Sequence, residues 1–249
     1  MTKSSHQPAV NRFVAIGLFR FVIWYAAVYP VVVAGITIGL RFVNDGGDEN
    51  LWRNLTIAPV YYLVACGVVA VATLLPMIVA HGGTRRAFSR AAAPMFAGLS
   101  VITGLYVLAL IGFDALVSSI FGWEPTVSGV VELASVGDRV ELFLDTMLAG
   151  LCALATGWLA GIVWQSAVFR RRLGWIPATL LMVPCAVPLV AAEIVLHRPP
   201  FGADFADALD LDLGVAGGAI AALAIGAASL ALAAYLTRGV IVGGRASPA

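Results

Sequence analysis

The residues of this chain that could do chemistry include three carboxylates inside or beside long apolar runs, Asp114, Asp145 and Glu193. Ionisable side chains are costly within a bilayer, so they are candidates for a functional site. All three lie within about two turns of one end of their runs, which allows two interpretations. They could form an outer gate that binds a cation or a proton. Alternatively, they reach the headgroup region, and one of them pairs with Arg139 or Arg198.

A second candidate set is cationic and follows the second apolar run. Here Thr84 is a suitable N-cap for a helix that carries Arg85, Arg86 and Phe88 and continues towards the third run. This pattern predicts a charged projection with one aromatic side chain at the membrane surface.

No motif for catalysis, metal binding or nucleotide hydrolysis is present in the sequence. The three cysteines lie in apolar runs and the three histidines are scattered, so neither matches a metal site. A Walker loop, a nucleophile elbow and a zinc-protease motif are all missing. We therefore expect that this chain is not an enzyme, and that it has no metal, no cofactor of its own and no nucleic-acid partner.

The elements that must position these residues are six apolar runs. Each is about as long as the 20 residues that a helix needs to cross the hydrocarbon core of a bilayer. A hydrophobic fraction of 61% and a charged fraction of 12% lie outside the range of soluble domains. We predict an all-α polytopic protein with one transmembrane domain over residues 1–249. The predicted spans are Phe21–Leu40, Ile57–Ala80, Ala91–Phe113, Leu142–Val168, Trp175–Leu196 and Leu213–Leu236.

The charges predict the orientation of these spans. All 14 carboxylates fall on one side of the six-span pattern, whereas 11 of the 15 basic residues fall on the other side. Lys and Arg near span ends mark the cytoplasmic face. We therefore expect cytoplasmic N- and C-termini and a multi-pass position in the cell membrane, with the lipid bilayer as the surroundings.

Local features leave two points open and indicate one kink. Asn11–Arg20 is either an interfacial helix or an early start of a tilted first span. The outer segment 197–212 could re-enter the membrane, which periodicity does not decide. Pro184 and Pro188 predict a kink in the fifth span.

Small residues recur every four positions in two spans and predict close helix packing. The pattern leaves open whether each stripe faces another helix of this chain or a second subunit. The two stripes are Ala149, Ala153, Gly157 and Gly161 in the fourth span, and Gly214, Gly218, Ala222 and Gly226 in the sixth.

The segment Gly83-Thr84-Arg85-Arg86-Ala87-Phe88 after the second span resembles a recurrent pattern of ATP-binding-cassette type-2 permeases. The six-span outline agrees with that family over nearly the whole chain. Gly82 next to Gly83 departs from the family pattern and predicts a looser turn.

The resemblance implies an exporter-like permease subunit. A second permease subunit, identical or related, would complete the pathway, and a separate ATPase subunit would carry ATP and Mg. Thr84, Arg85, Arg86 and Phe88 would then be the contacts that couple the ATPase to the membrane domain. The substrate would be an apolar or amphipathic drug, lipid or peptide. The alternative is a non-transporting scaffold or accessory subunit of a membrane complex.

Overall fold

The computed structural model describes residues 7–44, 49–122, 135–165, 183–196 and 213–238, and these are helical apart from short turns. The predicted all-helical class is confirmed for this part of the chain. A π-helical segment, Ala70–Leu74, joins the second helix to the third, and a 3-10 turn, Val183–Ala186, precedes the sixth. The helices are α1 Gln7–Asn44, α2 Glu49–Val69, α3 Leu75–Ala80, α4 Arg85–Phe121, α5 Val136–Gln165, α6 Val187–Val195 and α7 Gly214–Thr237.

Five described stretches are long and apolar enough to cross a membrane, and they support a multi-pass membrane protein. One of them, Ile57–Ala80, has the bounds predicted from the sequence. The predicted fifth span is described only from residue 183, where a shorter apolar stretch ends at Val195. The other four stretches are Pro8–Tyr29, Arg85–Ile120, Val136–Gln165 and Gly214–Thr237. The segment 197–212 lies outside the described residues.

The start of α1 and the prolines before α6 bear on two of the local predictions. α1 continues without a break from Gln7 to Asn44, so residues 11–20 are not a separate interfacial helix but the start of a longer one. Before α6, the backbone changes from 3-10 to α geometry between Pro184 and Pro188. This change lies where the two prolines predicted a kink, because proline cannot donate the helical hydrogen bond.

α5 is the central helix, and its middle is buried on every side. From Thr146 to Ile162 nearly every residue is buried, including the whole stripe that begins at Ala149. α5 packs against α2, α4, α6 and α7. A helix that is apolar all round belongs in the interior of a bundle, which is the position that α5 occupies here.

The stripe on α5 faces α2 of the same chain. A Cβ on Gly157 would overlap the Val64 carbonyl oxygen, and a Cβ on Gly67 of α2 would lie 2.5 Å from the Leu154 carbonyl oxygen. One turn further along, a Cβ on Gly161 would lie 2.8 Å from Val71 Cβ. The two backbones are therefore in direct contact, which only glycine permits at these positions.

Three members of the second stripe also pack inside the chain. A Cβ on Gly218 would lie 2.5 Å from the Val195 carbonyl oxygen of α6. Ala222 is fully buried, and a Cβ on Gly226 would lie 3.1 Å from Leu151 Cδ2 of α5. Gly214 is different, because it is exposed at the start of α7 with a φ of +61° and open space around its Cα. Its role is in the turn and not in packing.

The orientation of the bundle can be tested by cysteine labelling. Reporter cysteines on the carboxylate-rich side should react with a membrane-impermeant thiol reagent in intact cells, and those on the basic side only after permeabilisation. His81 suits the basic side because it is exposed, whereas Gly82 has a φ of +81°. Labelling at position 81 from outside would contradict the six-span orientation. The other reporter positions are Ser5 on the basic side and Gly46, Ser128 and Asp207 on the opposite side.

Candidate functional site at the basic end of the bundle

The turn between α3 and α4 ends one helix and starts the next within four residues. The Gly82 N–H donates to the Val79 carbonyl (3.1 Å), and the Gly83 N–H donates to the Ile78 carbonyl (2.8 Å). This pair of bonds is a Schellman motif, which needs a left-handed residue such as Gly82. A Cβ on Gly83 would lie 2.5 Å from Ile78 Cγ2. The expectation of a loose turn is therefore wrong, since both glycines are needed for a tight one.

The start of α4 has the N-cap that the sequence indicates. Thr84 Oγ1 accepts a hydrogen bond from the Ala87 N–H (3.1 Å), and the Thr84 carbonyl accepts one from the Phe88 N–H (3.0 Å). The cap satisfies a backbone donor that the first turn would otherwise leave open. From Arg85 the helix runs unbroken to Phe121. The basic residues and the third span are thus parts of one continuous helix.

Three arginines surround one open cavity beside this turn. Arg85, Arg86 and Arg238 line a cavity of about 380 Å³, together with Val79, Gly83 and Thr84. Arg85 is half-buried, and its Nη1 donates to the Arg238 carbonyl (3.3 Å). The Arg238 guanidinium also lies 5.9 Å from the centre of the Tyr235 ring, in a cation–π contact. None of the described residues that line the cavity is acidic, so we call it the basic cavity.

Phe88 does not lie on this surface. Its side chain is 0% exposed, and its ring meets the Trp158 ring edge-on with the centroids 5.8 Å apart. The Phe88 side chain is therefore not exposed to a partner subunit in this structure, so it is left out of the docking residues below. The reason is helical geometry, because Phe88 follows the exposed Arg86 by two residues, about 200° around the helix, and so projects to the side of α4 that faces α5.

Trp158 of α5 connects three helices at the basic end. Phe96 of α4 also meets its ring edge-on, at 5.2 Å between centroids. The Trp158 indole N–H donates to Thr237 Oγ1 (3.0 Å), and the Thr237 hydroxyl donates to the Ala233 carbonyl (2.7 Å). Edge-to-face pairs and a satisfied indole N–H are the favourable arrangement for a buried tryptophan. The first turn of α4 and the last turn of α7 are thereby held against α5.

The π-helical segment of the second span is also tied to α5. Pro76 has no N–H, so it cannot donate to the Ala72 carbonyl four residues earlier. The Gln165 side-chain amide of α5 donates to that carbonyl instead, at 2.8 Å. Thr73 Oγ1 donates to the Val69 carbonyl in the same segment (2.6 Å). Segments of π-helix are often retained at functional positions, and this one lies two turns before the basic turn.

Of the three candidate carboxylates, Glu193 has the best-described surroundings. Its side chain is 2% exposed, and Tyr61 of α2 donates a hydrogen bond to Glu193 Oε1 (2.8 Å). Tyr61 lies about 28 Å along the second span from its end at Ala80, given the rise of a helix. This contact is therefore at the end of the bundle opposite the basic cavity, and it joins α2 to α6.

The other two carboxylates, Asp114 and Asp145, give less support for an outer gate. Asp145 is half-buried on α5, and the side chain of Asp114 lies outside the described part of the structure. No group of three His, Cys, Asp or Glu side chains among the described residues could hold a metal ion. The outer gate therefore stays a prediction. The three cysteines, Cys66, Cys152 and Cys185, are buried and free of disulfides.

Comparison with known proteins adds no relative: no family model, curated protein or solved structure matches this chain. Sequence reasoning missed Trp158, Arg238 and Gln165 as parts of the site. Only Gln165 had a local signal, because Pro76 predicts that the Ala72 carbonyl needs a donor from elsewhere.

Proposed function

We propose that this chain is the membrane-spanning permease subunit of an ATP-binding-cassette exporter. It would move an apolar or amphipathic drug, lipid or peptide, with a second permease subunit completing the pathway. A separate ATPase subunit would hold ATP and Mg and dock at the basic end of the bundle. The docking residues in this proposal are Thr84, Arg85 and Arg86.

The observation that carries the proposal is the way in which exposed arginines are joined to the centre of the bundle. Arg86 is exposed in the first turn of α4, and Phe88, half a turn later, is locked against Trp158 of the central helix. A displacement applied at Arg86 would therefore reach α5 through a continuous helix and a buried aromatic contact. A permease subunit needs such a link, because its energy comes from a partner outside the membrane.

The positive charge of the site supports docking of a partner with an acidic surface. Arg85, Arg86 and Arg238 lie around one cavity whose described lining has no acidic residue. An acidic groove on an ATPase would complement this surface and would increase the rate and the specificity of docking. The scaffold alternative has no comparable observation in its favour, because a scaffold does not require the surface arginines to be linked to the core.

The experiment is a charge reversal at the exposed arginine, Arg86→Glu. Native membranes that carry the tagged chain are solubilised, and the amount of ATPase that co-purifies is measured for wild type and variant. The purified complexes are then placed in liposomes, and their ATPase activity is measured. We expect the variant to lose partner retention or chain-dependent ATPase activity by about tenfold or more, because like charges would then face each other. The variant should keep its thermal stability, since Arg86 is exposed.

Arg90→Glu is the matched control, because Arg90 is exposed one turn further along the same helix and does not line the cavity. Arg90→Glu should reduce partner retention and ATPase activity much less than Arg86→Glu does. If Arg86→Glu keeps its partner and wild-type ATPase activity, the coupling role fails. If the wild-type chain co-purifies in fixed ratio with a partner that has no Walker loop, the scaffold alternative replaces the proposal.

A further inference from the structure

We propose that the basic end of the bundle binds one anionic phospholipid. Its headgroup phosphate would lie in the basic cavity between Arg85 and Arg238, and one acyl chain would lie in the apolar groove next to it. This inference does not depend on the transport function, because it concerns only what the two adjoining cavities fit.

The basic cavity has the donors that a phosphate needs. The Arg85 Nε is buried and has no hydrogen-bond partner among the described residues, and Arg238 is exposed at the rim. Arginine binds phosphate oxygens through parallel N–H donors. The first turn of α4 adds backbone N–H groups without a helical partner and the positive end of the helix dipole. The cavity thus offers guanidinium groups from two helices together with a helix N-terminus.

The neighbouring groove is apolar. It has a volume of about 260 Å³ and lies between α1 and the end of α3. Val10 and Phe13 of α1 line one side, and Met77 and Ile78 of α3 line the other, with the turn residues 81–83 at the end. Phe13 and Met77 are 40% and 48% exposed, so the groove is open to a ligand from outside the bundle. We call it the α1–α3 groove.

The two cavities meet at one residue, which favours a single amphipathic ligand over two separate ones. Gly83 lines both of them. The three arginines lie just beyond the ends of the apolar stretches Ile57–Ala80 and Gly214–Thr237, at the depth where headgroups would be found. A soluble phosphate would leave the α1–α3 groove unused, and an apolar substrate would leave the basic cavity unused. An anionic phospholipid matches both surfaces.

The test measures lipid retention by the purified full-length chain. The chain is mixed with equal amounts of dioleoyl phosphatidylglycerol and dioleoyl phosphatidylcholine, and bound lipid is counted by native mass spectrometry. We expect wild type to prefer phosphatidylglycerol by about tenfold or more, and the double variant Arg85→Gln/Arg238→Gln to lose that preference. In a second arm, Phe13→Ser/Met77→Ser should reduce retention of the dioleoyl lipid several-fold.

The matched control is Arg12→Gln/Arg90→Gln, which removes two exposed charges outside both cavities. It should keep the wild-type preference, and a thermal melt should show that all variants remain folded. Equal losses in this control and in Arg85→Gln/Arg238→Gln would overturn the proposal in favour of diffuse surface charge. Full competition by inorganic phosphate or by dibutanoyl phosphatidylglycerol would overturn it in favour of a phosphate site without an acyl groove. Unchanged retention in the cavity variants would also refute it.

Discussion

Gly157→Ala is expected to destabilise the bundle by about 1–3 kcal/mol or more, although it adds only one methyl group. The new Cβ would overlap the Val64 carbonyl oxygen, which belongs to the backbone of α2 and cannot rotate away. α2 and α5 would have to separate along their whole contact, because Gly67 and Gly161 pack in the same seam. The measurement is unfolding of the purified chain in mixed detergent micelles, with helical content as the signal.

The same substitution at Gly98 of α4 is the matched control. A Cβ there would meet nothing within 4 Å, and the residue is exposed. Gly98→Ala should therefore be neutral, or stabilising by up to about 1 kcal/mol, since alanine favours a helix more than glycine does. If Gly157→Ala were as harmless as Gly98→Ala, the close approach of α2 and α5 would be wrong. The larger substitution Gly218→Leu, against the Val195 carbonyl of α6, should destabilise the bundle as Gly157→Ala does.

Trp158→Ala should have the second large effect, a loss of about 3–5 kcal/mol. The side chain is 0% exposed and is the largest of the fully buried side chains. Its removal would leave a cavity between Phe88 and Phe96 and would remove the donor to Thr237. Beyond the loss in global stability, we expect faster hydrogen exchange in the last turn of α7 and in the α4 turn that contains Phe88. Trp158 is the contact that holds both against α5.

Trp164→Ala on the same helix controls for the loss of a tryptophan as such. Trp164 is 38% exposed, so its removal should cost much less. Trp158→Phe separates packing from hydrogen bonding, because it keeps an aromatic ring and loses the N–H donor. Loss of the hydrogen bond should cost about 1 kcal/mol of stability, and the smaller ring should add a further loss of packing. Hydrogen exchange at the start of α4 that is equally fast in the Trp158 and Trp164 variants would contradict the connecting role of Trp158.

The sequence by itself determined the class of fold, the bounds of one span and the start of α4, because these follow from local rules. The core of a bilayer has no water to hydrogen-bond the backbone, so a long apolar run satisfies its own N–H and C=O groups by forming a helix. This rule placed Ile57–Ala80 correctly. Capping is equally local, which is why Thr84 could be recognised as the start of α4. The spacing of Gly157 and Gly161 likewise predicted a tightly packed helix face.

Tertiary structure alone decided what each of these faces meets. The α5 stripe packs on α2 of the same chain, and nothing in a four-residue period distinguishes that helix from one in another subunit. Phe88 looked like an exposed contact because it stands among basic residues, yet its side of α4 is covered by Trp158, 70 residues later in the chain. Arg238 joins Arg85 across 153 residues for the same reason. Which residues are buried, and which residues they contact, depend on how the helices are arranged around α5. That arrangement follows from the packing of all the helices together, so no local sequence pattern contains it.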